Sequence, residues 1–200
     1  MIDRILRHPD VYRAWQAPLV SQKLAPFLAN SSIGSADRVI DVGCGPGTNA
    51  AIFAPTGYVG VDLSAEYIAS ARERYPHHQF EVWDITKPGP NLGTFDLALI
   101  NSVFHHLSDD ETRTVLQALP KLLRAGAPIH IIDLVLPADL SVARMLAKLD
   151  RGEYPRPLED WRALLGDLLE VKTFKPFRIG LLGSRMWDMV YVQGSTRLNA

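Results

Sequence analysis

Apolar side chains recur every three or four residues through Val11, Trp15, Leu19, Val20, Leu24, Phe27 and Leu28, the spacing of one helical face. Pro18 and Pro26 fall inside that stretch and predict a kinked or divided helix. Residues 30–35, Asn-Ser-Ser-Ile-Gly-Ser, read as a loop. Beyond them, short apolar runs alternate with helical periods. Strands are predicted at 38–41, 58–62, 79–83, 95–100 and 128–133. One helix is predicted from about Thr48. A second is capped by Ser64, carries Glu66 at its positive end and runs to about Tyr75. A third opens on the capping box Ser108–Glu111 and runs to about Arg124, with Gly126 ending it.

Strands separated by helices predict an α/β fold: a Rossmann-like, mostly parallel sheet with right-handed crossovers and helices on both faces. The tail departs from this rhythm. Residues 138–150 and 157–169 have helical spacing, whereas 170–174 and 185–192 read as strands with Gly180 and Gly183 between them. Two strands with no helix between them can pair antiparallel at a sheet edge.

Composition narrows the class. A chain of 200 residues with 47% hydrophobic and 22% charged residues has the balance of one ordinary globular domain, which excludes a disordered tail or a disulfide scaffold. Lys and Arg number 21 against 22 Asp and Glu, so the basic surplus expected of a nucleic-acid binder is missing. Cys44 is the single cysteine, which leaves no intramolecular disulfide and no zinc-finger spacing. Charge interrupts the first residues before a signal-peptide core develops, and no apolar run reaches the 18 or so residues of a membrane span. A cytoplasmic protein without a membrane partner is expected.

The chemistry concentrates in residues 39–48, VIDVGCGPGT. Glycines at 43, 45 and 47 let backbone approach a ligand closely, and in an open α/β sheet ligands sit above the carboxyl ends of the strands. A glycine turn alone is often only a tight strand-to-helix connection. Here Asp62 ends the second strand, where a carboxylate can accept both hydroxyls of a ribose. Asp84 ends the third, where an acid can meet an adenine amino group while Ile85 packs on the ring.

Segments 39–48, 60–64 (Gly-Val-Asp-Leu-Ser), 83–85 (Trp-Asp-Ile) and 95–107 together resemble the class I S-adenosylmethionine-dependent methyltransferases, nearest to the small-molecule branch with the signature DVGCGPG. The resemblance implies a seven-stranded sheet with its last strand antiparallel. It implies S-adenosyl-L-methionine as cofactor and S-adenosyl-L-homocysteine as product. Gly43, Cys44, Gly45 and Gly47 would surround the methionine part, Asp62 and Leu63 the ribose side, and Asp84 and Ile85 the adenine. Asp41 would steady the loop or reach the amino group through water, and Asn101 and Ser102 would border the sulfonium. Tyr12 and Arg13 would reach the donor carboxylate from a leading helix. One domain is expected, with residues 1–36 a helical lid, 37–136 the donor-binding core, and 137–200 the acceptor-side helices and terminal strands. A nicotinamide-binding fold fits less well, because Thr48 stands where its fingerprint asks for Gly or Ala, and Pro46 interrupts the turn.

A methyl group on a sulfonium is already activated, so a base is needed only where the acceptor must lose a proton. His105 and His106 follow the fourth strand and Asp133 ends the fifth, and each is a candidate base. Segment 101–104, Asn-Ser-Val-Phe, lacks the prolines typical of enzymes that methylate base amines. A small-molecule acceptor is therefore expected, with oxygen first and nitrogen or carbon next. Met145, Tyr154, Trp161, Arg144, Arg151 and Arg156 are candidate acceptor-side residues. The proline flanks of Arg156 predict an exposed, stiff segment. No metal is expected, since the capping box accounts for Asp109, Asp110 and Glu111, and His77-His78 sits in a turn. The competing functional class is a non-catalytic binder of the donor or its product, its mouth plugged by Trp15, Tyr154 or Trp161.

Overall fold

Residues 19–149, 152–181 and 183–197 are described by the computed structural model. Their order is helix α1 (Val20–Leu28), β1 (Val39–Val42), β2 (Tyr58–Asp62), α2 (Ala65–Arg74), β3 (Gln79–Val82), β4 (Leu97–Asn101), α3 (Asp109–Ala118), β5 (Ile129–Val135), α4 (Val142–Leu149), α5 (Leu158–Leu168), β6 (Leu169–Leu181) and β7 (Ser184–Thr196). The seven strands make one sheet in the order β3-β2-β1-β4-β5-β7-β6. The first five run parallel, while β7 is antiparallel to both β5 and β6. This is the mostly parallel Rossmann-like sheet with an antiparallel last strand that the sequence predicts.

The central strands are apolar on both faces because both are covered. All four residues of β1 and all seven of β5 are buried. On one face Ile40, Ala98, Ile100 and Ile131 pack with Val115 and Leu116 of α3 and Trp161 and Leu165 of α5. On the other, Leu97, Leu99, Ile132 and Leu134 pack with Leu24 and Phe27 of α1, Ala147 of α4 and Tyr191 of β7. From β1 the chain crosses outward to β2 and β3 on one side, then returns from β3 to lay β4 on the other side of β1. The register aligns Val42 with Val61 and Ile100, so the carboxyl ends open on one switch-point crevice.

Local chemistry explains the agreements and the departures. Ser64 Oγ accepts from the Tyr67 N–H to start α2, and Ser108 and Glu111 close a reciprocal capping box on α3. The helix predicted from Thr48 is absent. A single 3-10 turn, Ala50–Ile52, replaces it, since Pro55 and the turn at Gly57 leave too little chain for an α-helix. Likewise α3 ends at Ala118 rather than near Arg124. Pro120 cannot donate to the helix ladder and opens a 3-10 turn, Leu119–Lys121. Residues 30–35 form a 3-10 turn capped by Asn30 rather than an open loop. Pro26 lies in the last turn of α1 without dividing it. The two terminal strands run to 13 residues each, well beyond the apolar stretches that predict them, because hairpin pairing carries them into polar sequence. Among the described residues no helix is long and apolar enough to cross a membrane.

Candidate active site

A cavity of about 560 Å³ lies at the carboxyl ends of β1, β2 and β4, walled by Gly43, Gly45, Asp62, Leu63, Ser102 and His106 among others. Its floor is the glycine loop after β1. The N–H groups of Gly43 and Cys44 both donate to the Val61 carbonyl, at 2.8 and 3.0 Å, which pins the loop to β2. Gly43 and Gly45 have φ of +70° and +54°, a region that side chains disfavour. A Cβ on Gly43 would overlap the Val103 side chain, whereas one on Gly45 would meet nothing within 4 Å. The same loop thus closes against the segment after β4 at one glycine and leaves open space at the next. Gly47 packs toward Tyr75, Ala71 and Phe80 and stands outside the cavity wall.

Asp62 is held in place by backbone. The Gly45 N–H donates to its Oδ2 at 2.9 Å and the Ser64 N–H to its Oδ1 at 2.8 Å. Burial pushes its carboxyl up, while the N–H groups of Ser64, Gly45 and Leu63 oppose that rise. Each oxygen keeps a lone-pair direction for a further donor. The neighbouring Leu63 is 72% exposed, an apolar surface beside the carboxylate. Glu66 and Tyr67 of α2 also line the cavity. In the sequence Glu66 reads only as a helix-end charge and nothing singles out Tyr67, although the Ser64 cap is the signal that aims the first turn of α2 at the crevice.

Asp41 lies beneath the loop rather than in the cavity. It is fully buried, accepting from the Tyr58 hydroxyl at 2.7 Å and from Asn49 Nδ2 at 3.1 Å. Burial raises its pKa to about 6 against these hydrogen bonds. Asn49 in turn accepts from Asn101 Nδ2 at 3.0 Å, so a polar chain joins β1, the loop and the end of β4. Of the two roles open to Asp41, steadying the loop is the one its contacts perform. Cys44 points away from the cavity into a cluster with Tyr58, Ile68 and Phe80, and burial pushes its thiol up.

At the end of β4, Ser102 is the one non-glycine residue with positive φ among those described, at 59°, and it faces the cavity. Next comes the 3-10 turn Phe104–His106, whose two histidines part company. His106 lines the cavity, whereas His105 is buried and donates Nδ1–H to Asp133 Oδ1 at 2.6 Å. The two rings lie 4.0 Å apart, centre to centre. Asp133 also accepts from the N–H groups of Phe104 at 2.8 Å, Val103 at 3.2 Å and Leu134 at 2.7 Å. Burial acts to raise its carboxyl, but His105 and the N–H groups outweigh burial and hold it below the usual range. With both oxygens engaged inside the protein, Asp133 sits buried behind the turn and does not line the cavity.

Arg156 corrects its sequence expectation. Glu153 and Tyr154 are exposed, but Arg156 itself is not: it is 6% accessible and donates to the carbonyls of Phe104 at 2.7 Å and Leu107 at 2.6 Å. Proline flanks signal stiffness, yet the contacts that bury this guanidinium come from about 50 residues away. Trp161 is a core residue whose Nε1–H donates to the Leu134 carbonyl at 2.9 Å, so it plugs nothing. Met145 and Tyr154 are exposed and absent from the cavity wall, and Arg144 caps the Pro137 carbonyl. Asp84 pairs with Lys87 at 2.8 Å and accepts from Thr86 Oγ1 at 2.6 Å. These partners lower its carboxyl to about 2, and it does not border the cavity. Ile85 is buried in the core, and the Asn101 side chain turns to Asn49. Tyr12, Arg13, Trp15 and Arg151 lie outside the described residues. Among those described, no three His, Cys, Asp or Glu side chains gather as a metal site would require.

Residues 39–126 match the family described as a methyltransferase domain. A trans-aconitate 2-methyltransferase from Variovorax paradoxus is 34% identical over 134 residues, covering 65% of this chain and 49% of the relative. The chain spans about half the length of such curated relatives. Among solved structures, the PH0226 protein from Pyrococcus horikoshii OT3 superimposes with a TM-score of 0.69 at 18% identity, covering 94% of this chain and 92% of that one. The N-methyltransferase NodS from Bradyrhizobium japonicum WM9, solved with S-adenosyl-l-homocysteine, gives 0.64 at 18% identity, covering 88% and 98%. Likeness at that identity speaks for the fold.

Proposed function

We propose that the chain is a class I S-adenosylmethionine-dependent methyltransferase that moves a methyl group from S-adenosylmethionine to a small-molecule acceptor, an oxygen first. The observation that carries this reading is Asp62, whose two oxygens are aligned by Gly45 and Ser64 at the wall of the cavity. A carboxylate set this way takes two vicinal ribose hydroxyls on its remaining lone pairs. Leu63 offers its exposed face to the adenine, and the open space beside Gly45 admits the aminoacyl part. Asp84 pairs with Lys87 through Oδ2, and the remaining lone pair of that oxygen can accept the adenine amino group.

S-adenosylmethionine, when bound, supplies a methyl group already activated on its sulfonium. The work left to this chain is alignment and exclusion of water. Ser102, strained at the end of β4, presents its backbone to the same cavity as His106. His106 is the side chain placed to take a proton from a hydroxyl acceptor. A carboxylate acceptor, the kind named by the Variovorax relative, is nucleophilic without a base. A small carboxylic acid is therefore the first acceptor to try, and the balanced charge of the chain supports a small molecule over a nucleic acid.

Calorimetry with S-adenosylhomocysteine tests the donor site. Incubation with isotope-labelled donor, first with trans-aconitate and then with a metabolite extract, tests transfer by a mass gain of one methylene. Binding without any methylated product would leave a donor-binding protein, and no binding at all would remove the reading.

A further inference from the structure

The 3-10 turn that carries His106 is gripped at both ends by groups of opposite charge. At its start, Asp133 accepts the N–H groups of Val103 and Phe104. At its end, Arg156 donates Nη1 to the Phe104 carbonyl and Nη2 to the Leu107 carbonyl, and its Nε pairs with Asp109 at 2.7 Å. The carbonyl between them, of His105, accepts from the Tyr154 N–H at 2.9 Å. A Cβ on Gly152 would overlap the His105 ring and carbonyl, so the segment 152–156 lies flat against the turn. The segment is itself anchored to β5. The Arg156 carbonyl accepts from the Leu136 N–H at 2.8 Å, and its guanidinium lies 5.0 Å from the centre of the Trp161 ring.

We propose that Arg156 is a positioning residue: it sets the orientation of the Phe104–His106 turn and thereby the place of the His106 imidazole at the cavity. The assignment of a catalytic purpose to that imidazole rests on the methyltransferase reading above. Only a planar fork reaches two carbonyls and a carboxylate together; a lysine ammonium is a single point of attachment. A buried charge is a poor choice for stability alone, since apolar residues of similar volume commonly do as well or better. Here the charge holds the backbone on either side of His106, which an apolar residue cannot do.

The test compares Arg156→Met and Arg156→Lys with Trp161→Phe, a control that perturbs the same packing without touching the turn carbonyls. Three quantities are measured well below each variant's melting temperature: the His106 ring titration by NMR (assigned with His106→Gln), amide exchange of residues 104–107, and affinity for S-adenosylhomocysteine. Arg156→Met should displace the His106 titration and speed exchange of the turn about tenfold or more, with donor-product affinity within about threefold of wild type because the Asp62 contacts are untouched. Arg156→Lys should lie between, restoring one carbonyl bond, and it decides the matter if the Met variant does not fold. Trp161→Phe should lower stability and leave the titration in place. A His106 titration and turn exchange in the Arg156 variants no different from the Trp161→Phe control would overturn the proposal. Failure of the methyltransferase reading registers separately, as wild-type protein that does not bind S-adenosylhomocysteine.

Discussion

His105 Nδ1 meets Asp133 Oδ1 at 2.6 Å in a place that both side chains reach only by leaving solvent, at 4% and 0% exposure. The pair joins the turn after β4 to the middle of the sheet. Breaking such a pair by removing one partner leaves an uncompensated buried group, so Asp133→Asn should cost about 3–5 kcal/mol at neutral pH. Its carboxyl titrates below the ordinary 3.8 in the folded protein. The stabilisation is therefore complete above pH 4 or so and fades as pH falls through the lowered folded value. Denaturant unfolding of both proteins between pH 3 and 7 should show their difference closing at the acid end. A constant gap would mean that the carboxylate charge is irrelevant.

Asp41 should behave in the opposite sense. Its folded pKa of about 6 lies above the ordinary 3.8, so the folded state holds the proton more tightly and loses stability as pH rises from about 4 to 6. Asp41→Asn removes that dependence. Wild type should fall relative to the variant by roughly 1–3 kcal/mol across this window, read from unfolding midpoints. A rise instead of a fall would contradict the burial argument.

Asp62→Ala should weaken S-adenosylhomocysteine binding by about 1–3 kcal/mol, roughly 5- to 150-fold, since two hydroxyls lose a charged acceptor. Calorimetry decides it. Unchanged affinity would place the ribose elsewhere.

The two loop glycines should fail differently. Gly43→Ala forces a methyl into Val103 at a φ that alanine disfavours, and about 1–3 kcal/mol of stability should go, with part returned by Val103→Ala. Gly45→Ala meets no neighbour, so its stability cost should be limited to about 1–2 kcal/mol of left-handed backbone strain. Its methyl, however, enters the open space of the cavity, and donor-product affinity should drop about tenfold or more. Melting temperature and calorimetry on both variants separate the effects. Equal loss of affinity with equal loss of stability would contradict the geometry.

What could be read from the chain followed the reach of each interaction. The Ser64 cap and the Ser108–Glu111 box act over three residues and are visible as spacing. The strand ends bearing Asp41 and Asp62 were marked by apolar runs stopping at glycine and serine. The alanines at 50, 51 and 54 suggest a helix after Thr48, but Pro55, three residues past Ile52, leaves room only for the 3-10 turn. Arg156 is not legible locally for a stronger reason: its partners Phe104 and Leu107 are 52 and 49 residues away, and nothing nearby in the sequence announces them. The division of labour between His105 and His106 has the same origin. Adjacent and identical in sequence, they differ only by what the sheet brings beneath one of them.

Cys44 is the chain's single thiol, and it lies sealed between Gly60 and Phe80 under the glycine loop. A maleimide or disulfide reagent can reach it only when that loop lifts, so the modification rate of the native protein is a built-in clock for how often the floor of the crevice breathes. Whatever occupies the crevice should make the clock run slower, which turns one sulfur into a screen for ligands that needs no knowledge of the acceptor.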